Sequence, residues 1–375
     1  MTTLALSAAV ALLAIWGLYP AAVALLARLR RPTTTAPPAE PPRVAVVVAS
    51  RDEPAAIADR VADVLASHYP ADRLRVVVGV DATVADQARA IAEVGRLAPN
   101  ATVVAGDAPG GKAATLNAAV RAATGGGGAE LLVFTDTGQR FAPDAIPQLV
   151  NALTDPRVGA VSGQLELPEA GAPTIAERYW RYERRLRRHE ARLHSTVGVT
   201  GAIYAMRAPL WTPLPAGLIL DDVYVPMGLV LAGHRVAFAG GARARDTRRF
   251  AAEQEYRRKV RTLTGVLQLC AWLPAVLVPG RNPIWLQFLF HKLLRLLTPY
   301  LALAVLVGAG VWAVRQLATL PTTVVAAAVG VAVAALIALP GLRRRIGRQL
   351  AAGLALQAAI VVATVNGLRG RWNVW

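Results

Sequence analysis

Four positions stand out by residue type and setting. The run Leu131-Leu132-Val133-Phe134-Thr135-Asp136 ends an apolar stretch in a carboxylate, with Thr137-Gly138-Gln139 behind it. A short apolar run closed by a turn reads as a core strand of an α/β sheet, and such sheets bind ligands beyond the carboxyl ends of their strands. Asp136 therefore falls where a divalent cation could be held against a diphosphate, because hard cations share their oxygen ligands with substrate phosphates. The other reading of an aspartate at a strand end is an Asx turn or a helix cap. Leu220-Asp221-Asp222-Val223 sets two adjacent carboxylates at an expected helix start. One of them can cap the helix while the other serves as a general base.

The fourth position is Lys112. Gly106-Asp107-Ala108-Pro109-Gly110-Gly111-Lys112-Ala113 follows an expected strand and opens a helix. It nearly matches the phosphate-binding loop of ATPases, which makes a membrane ATPase a rival reading. Ala113 stands where that loop needs a hydroxyl on magnesium. What survives the mismatch is a lysine in a glycine-rich loop at a helix N-terminus, a setting that favours anions. Downstream, Tyr256-Arg257-Arg258-Lys259-Val260-Arg261-Thr262 gathers four cations directly before an apolar run. That cluster fits a juxtamembrane anchor or the stabilisation of a departing diphosphate. His189, Glu190 and His194 do not read as a zinc site, since the histidines are five apart and the helical metal motif needs four.

These side chains need a scaffold, and the first half of the chain describes one. Strands are expected over Val44–Ala49, Leu74–Val80, Ala101–Ala105 and Leu131–Thr135. Helices are expected over Ala55–Ser67, Ala85–Leu97, Lys112–Ala123 and Pro143–Leu153. Alternation of this kind predicts a mostly parallel sheet with helices on both faces. The second half is less regular. Ala176–Leu193 carries seven arginines on a helical pattern and reads as a solvated or membrane-facing surface.

The ends of the chain read as membrane segments. Residues 1–27 contain no charged side chain and are followed by Arg28, Arg30 and Arg31, which predicts a transmembrane helix whose positive end faces the cytosol. Residues 28–42 form a linker rich in Pro, Thr and Ala, and residues 43–261 a cytosolic domain. Residues 262–292, broken by Pro274 and Pro279, are expected to lie in the interface, with Trp272 and Trp285 at headgroup level. Membrane helices then fill 293–368, with candidates at Leu296–Val314, Thr322–Leu339 and Leu350 to about Asn366, before a tail at 369–375. A full last span would leave Arg369 and Arg371 outside, which a re-entrant segment avoids. The expected location is a plasma membrane, multi-pass, with membrane lipids as partners.

The net charge of +17 over 375 residues does not argue for nucleic acid. Lysine occurs only at 112, 259 and 292, and the arginines that dominate include juxtamembrane ones with an anchoring role. The single Cys270 excludes an intrachain disulfide framework.

Taken together, the motifs resemble the membrane-bound family 2 glycosyltransferases, the group that includes cellulose, hyaluronan and poly-N-acetylglucosamine synthases. The similarity runs from Val44 to about Arg295. Val46 to Glu53 looks like the family's opening strand and its Asn/Asp-Glu turn, here Asp52-Glu53. Asp81 takes the place of the family's nucleoside-contacting aspartate, and Gly111-Lys112-Ala113-Ala114-Thr115-Leu116-Asn117 matches the Gly-Lys-Ala-x-x-Leu-Asn motif. Asp136 matches the first aspartate of Asp-x-Asp, Asp222 the aspartate of Thr-Glu-Asp, and Arg258 to Arg261 the span of Gln-x-x-Arg-Trp.

The resemblance implies a GT-A type, Rossmann-like α/β domain flanked by transmembrane helices. It also implies inverting transfer of a hexose or N-acetylhexosamine from a nucleotide-diphospho-sugar to a membrane-associated glycan or lipid, as in polysaccharide biosynthesis at the cell envelope. Asp222 would be the catalytic base and Arg261 would stabilise the leaving group. Asp52, Glu53, Asp81, Lys112, Asp136, Arg258 and Lys259 would bind the donor, and Asp136 would hold a divalent cation, manganese or magnesium. The chain departs from the pattern at Gly138, which replaces the second ligand of Asp-x-Asp. It departs again at Thr262 and Arg258, where the synthases carry tryptophan and glutamine, and at Asp221, where they carry glutamate. The loss of tryptophan removes a stacking platform for an acceptor sugar and favours simple transfer over polymerisation. A catalytically silent scaffold with the same fold is the remaining alternative.

Overall fold

A computed structural model describes residues 2–30, 36–126, 128–168, 175–248, 252–328, 331 and 340–373. The four expected strands are present as β1 (Val44–Ser50), β2 (Leu74–Val80), β3 (Ala101–Ala105) and β4 (Leu131–Thr135). They pair in parallel in the order β3-β2-β1-β4. Valines 44, 46, 48, 76, 78 and 80 are buried, as are Ala45, Val47 and Val77, so both faces of β1 and β2 are covered. Burial on two faces is why they read as continuous apolar runs rather than alternating ones.

Beyond β4 the sheet changes character. It continues through β7 (Tyr204–Arg207), β6 (Val158–Glu166) and β8 (Arg235–Asp246) to β5 (Gln139–Phe141). β7 runs antiparallel to both β4 and β6, β8 runs parallel to β6, and β5 runs antiparallel to β8. The sheet is therefore mixed, where the sequence pattern alone predicts a mostly parallel one. Its parallel half has a switch point at β1, whose neighbours β2 and β4 lead away in opposite directions. That is the place in an open α/β sheet where a crevice forms beyond the strand ends.

The chain divides into two compact units. One comprises residues 22–249 and 268–288 and contains the whole sheet; the other comprises 1–21, 250–267 and 289–375. Within the second unit, helix Thr2–Leu13 packs against helix Thr298–Leu317. Trp16 Nε1 donates to Thr298 Oγ1 at 3.1 Å, the Arg295 guanidinium lies 4.5 Å above the Trp16 ring, and Tyr19 stacks on Phe290. Among the described residues two helical runs, Thr3–Leu29 and Trp285–Leu317, are long and apolar enough to cross a membrane by length and composition. The second starts at Trp285, inside the stretch expected to be interfacial. Residues 262–272 continue the helix Ala252–Trp272 without a break. Most of the expected span Thr322–Leu339 lies outside the described residues, and Leu350–Asn366 falls within the helix Pro340–Leu368, whose apolar part is Gly353–Leu368.

Candidate active site

The turns after β1, β2 and β4 carry four of the nine sequence-predicted residues, Asp52, Glu53, Asp81 and Asp136. Asp52 follows β1 and accepts a hydrogen bond from Thr137 Oγ1, so the turns after β1 and β4 meet at the switch point. Glu53 stands just before the helix Pro54–Leu65 as its exposed N-cap residue, without a side-chain capping bond.

Asp81, the residue after β2, is buried. Its Oδ1 accepts from the backbone N–H groups of Thr83 (2.8 Å) and Gly111 (3.1 Å), and its Oδ2 from Thr115 Oγ1 (3.2 Å). Burial works against the charge on Asp81, but these donors outweigh it and hold the carboxyl below the usual aspartate range. Gly110 makes the close approach possible. Its φ is +93°, and a Cβ there would lie 2.9 Å from Asp81 Oδ1. The carboxylate thus fastens the glycine loop to the end of β2 and fixes where the next helix begins.

That helix, Lys112–Thr124, starts with the lysine. Lys112 Nζ lies 3.2 Å from Asp136 Oδ1 and 3.4 Å from Asp221 Oδ2. Burial opposes its charge, but Asp136, Asp221 and Asp222 together raise its pKa above that of a free lysine, so it remains an ammonium at physiological pH. The geometry brings together Lys112 and Asp136, both expected to bind the donor, and adds Asp221, which the sequence marks as one of two carboxylates at a helix start without a part in donor binding.

Asp221 and Asp222 form the first turn of the helix Asp221–Leu231, where the helix dipole favours negative charge. The segment leading to them is clamped twice. Asn117 donates through Nδ2 to the Leu214 carbonyl and accepts from Leu214 N, while Gln268 accepts from Ile219 N and donates to the Gly217 carbonyl. Asn117 closes the Gly-Lys-Ala-x-x-Leu-Asn stretch, so one helix supplies both Lys112 and the clamp on the loop that delivers the two aspartates. Gly201 faces Asp222: a Cβ there would stand 3.6 Å from Asp222 Oδ2.

Two buried side chains near Asp136 escaped the sequence reading. Arg60 is fully buried on the helix Pro54–Leu65; it donates to Thr135 Oγ1 at 2.9 Å, pairs with Asp63, and lies 4.0 Å above the Phe141 ring. Burial lowers its pKa to about 10, against the pull of Asp63. A faint signal was present, since Arg60 interrupts the apolar stripe of Ile57, Val61 and Val64. Tyr204, also buried, stacks on Phe134 at 4.6 Å, and its pKa is raised first by burial and then by Asp221, Asp222 and Asp136.

Arg258, Lys259 and Arg261 lie on the helix Ala252–Trp272, in the other compact unit. There Lys259 pairs with Glu255 at 3.4 Å and Arg258 approaches the same glutamate at 4.0 Å.

For a metal the donor set is thin. Asp136 offers one carboxylate already paired with Lys112, and Gly138 offers no side chain. Among the described residues there is no group of three or more His, Cys, Asp or Glu side chains able to hold an ion. These side chains do not by themselves fit a divalent cation.

An open mixed sheet with acidic and basic side chains at its switch point is an α/β domain of the kind that binds ligands in a crevice there, and comparison narrows the class. The model of the family "Glycosyltransferase like family 2" matches residues 41–265, more than half of the chain. The chain belongs to that family. Among solved structures, mannosyltransferase PcManGT from Pyrobaculum calidifontis, in complex with GDP-Man and Mn2+, is 23% identical and superimposes with a TM-score of 0.69, covering 97% of this chain and 99% of that one. That likeness establishes the GT-A type fold. A mycobacterial protein covers 66% of this chain and 78% of its own at 19% identity and a TM-score of 0.43. No curated protein matches. Nothing in these comparisons supports the ATPase reading, and Ala113 leaves the loop without its magnesium hydroxyl.

Proposed function

We propose that this glycosyltransferase moves a hexosyl or N-acetylhexosaminyl group, with inversion, from a nucleotide-diphospho-sugar to a membrane-associated acceptor, a lipid-linked sugar or a growing glycan. Asp222 takes the proton from an acceptor hydroxyl as that oxygen attacks the anomeric carbon. The bond from that carbon to the diphosphate oxygen breaks as the new bond forms, and attack from the opposite face inverts the centre. Lys112 meets the negative charge that grows on the departing diphosphate, where a preorganised cation has its greatest effect on rate. Asp52, Glu53 and Asp81 face the nucleoside side of the donor. The parts given to Arg258, Lys259 and Arg261 at the leaving group rest on the sequence pattern alone.

The observation that carries this reading is the cluster of Lys112, Asp136 and Asp221, with Asp222 next in the chain, in a family 2 glycosyltransferase domain. GDP-Man in the similar mannosyltransferase supports a nucleoside diphosphate sugar as donor. The two apolar helical runs and the arginines at 28 and 30 support a membrane-anchored protein whose catalytic domain, about 43–261, faces the cytosol. The test is a panel of radiolabelled nucleotide-sugars incubated with membranes that contain the protein. Label from one donor should pass into a membrane-extractable product of inverted anomeric configuration. Label that stays in nucleotide-sugar across the whole panel would favour a silent scaffold.

A further inference from the structure

The absent second ligand of the Asp-x-Asp motif has a physical counterpart in the fold. β5 begins directly after Gly138 and pairs with the end of β8, Gln139 opposite Asp246. The chain leaving β8 turns over Gly138: Thr247 donates to the Gly138 carbonyl through its N–H at 3.1 Å and its hydroxyl at 2.9 Å. Arg248 follows, its N–H donating to Oδ1 of the buried Asp246 at 3.1 Å and its Nε 3.5 Å from the same oxygen. A Cβ built on Gly138 would run into Nε and Cζ of Arg248. The guanidinium fills the space in which a side chain at 138 would begin. Two residues after Asp136, where the resemblance leads one to expect a carboxylate, the site has a cation with 40% of its side chain exposed.

We propose that Arg248, together with Lys112, takes over the neutralisation of the donor diphosphate, so that donor binding does not depend on a divalent cation. The proposal rests on the nucleotide-sugar reading given above. Charge and shape agree with it. One ammonium and one guanidinium supply the two positive charges that a divalent ion would bring, and a guanidinium offers paired N–H donors that match phosphate oxygens. An ion at the same place would meet like charge from Arg248, and the Asp136 carboxylate is already shared with Lys112. The glycine and the arginine then form one adaptation: a side chain at 138 would have to displace Arg248.

The experiment is calorimetric titration of the full-length protein in detergent with UDP and with GDP, in EDTA and in manganese. Wild type should bind one of the two with affinities that agree within about twofold between the conditions. Arg248→Ala should weaken that binding roughly tenfold or more in both, the usual scale for a charged hydrogen bond, while Arg248→Lys keeps most of it. The double variant Gly138→Asp/Arg248→Ala should bind well in manganese and poorly in EDTA. Wild-type binding that disappears in EDTA, or Arg248→Ala binding that equals wild type, overturns the proposal while leaving the transferase reading intact. Absence of UDP and GDP binding in every arm overturns the nucleotide-sugar reading itself, and the role of Arg248 with it.

Discussion

The turns after β2 and β4 both begin with an aspartate at the carboxyl end of a parallel strand, and the two carboxylates have different surroundings. Asp81 is buried and takes three hydrogen bonds from its own loop and helix, two of them from backbone N–H groups. Asp136 keeps a third of its side chain exposed and is held by Lys112 at 3.2 Å. Position in the fold is the same; the local donor supply decides how firmly each carboxylate is fastened to its own loop. Asp81 uses its charge to shape the loop that presents Lys112, and Asp136 shares that lysine with Asp221.

Substitution should separate the two turns sharply. Asp81→Ala removes the acceptor for two backbone N–H groups and a hydroxyl, and should cost about 3 kcal/mol of stability, since buried unsatisfied donors carry the full desolvation penalty. Thermal or denaturant unfolding in detergent would register it, and an unchanged midpoint would break the contrast. Arg60→Met comes next, at about 2 kcal/mol. It leaves Thr135 without the buried guanidinium and Asp63 with only the Phe141 N–H, while the methionine refills part of the apolar volume over Phe141. The smallest change in stability belongs to Asp136→Asn, below about 1 kcal/mol, because a partly exposed ion pair contributes little; its effect should appear in donor binding.

Acid sensitivity sharpens the same contrast. Because the folded-state pKa of Asp81 lies below its unfolded value, its contribution is complete above an unfolded pKa of about 3.9 and is lost as pH falls through the lower folded value. Asp81→Asn should therefore flatten the acid limb of the stability curve relative to wild type, as followed by unfolding between about pH 5 and pH 2.

Much of this was legible in the chain, and the rest was hidden for physical reasons. β1, β2 and β4 are buried on both faces and announce themselves as apolar runs, which places Asp52, Asp81 and Asp136 correctly at strand ends. β8 is opaque because Gly240, Gly241 and alternating arginines interrupt it, and β7 because four residues are too few to show a period. The mixed half of the sheet was missed for that reason. Lys112 and Asp222 could be found from spacing, yet the pairing of Lys112 with Asp221 is a through-space fact. Arg248 is stranger still, since the glycine at 138 gave notice of a missing ligand but nothing along the chain says which side chain fills the space.

The central claim is that Asp222 is the base in an inverting sugar transfer. Its most direct test compares wild type with Asp222→Asn in the same detergent preparation, measuring transfer from the active donor alongside nucleoside diphosphate affinity. The predicted result is transfer reduced by about a hundred- to ten-thousand-fold with affinity within a few-fold of wild type, as expected when a general base is removed. Transfer at the wild-type rate would contradict the account.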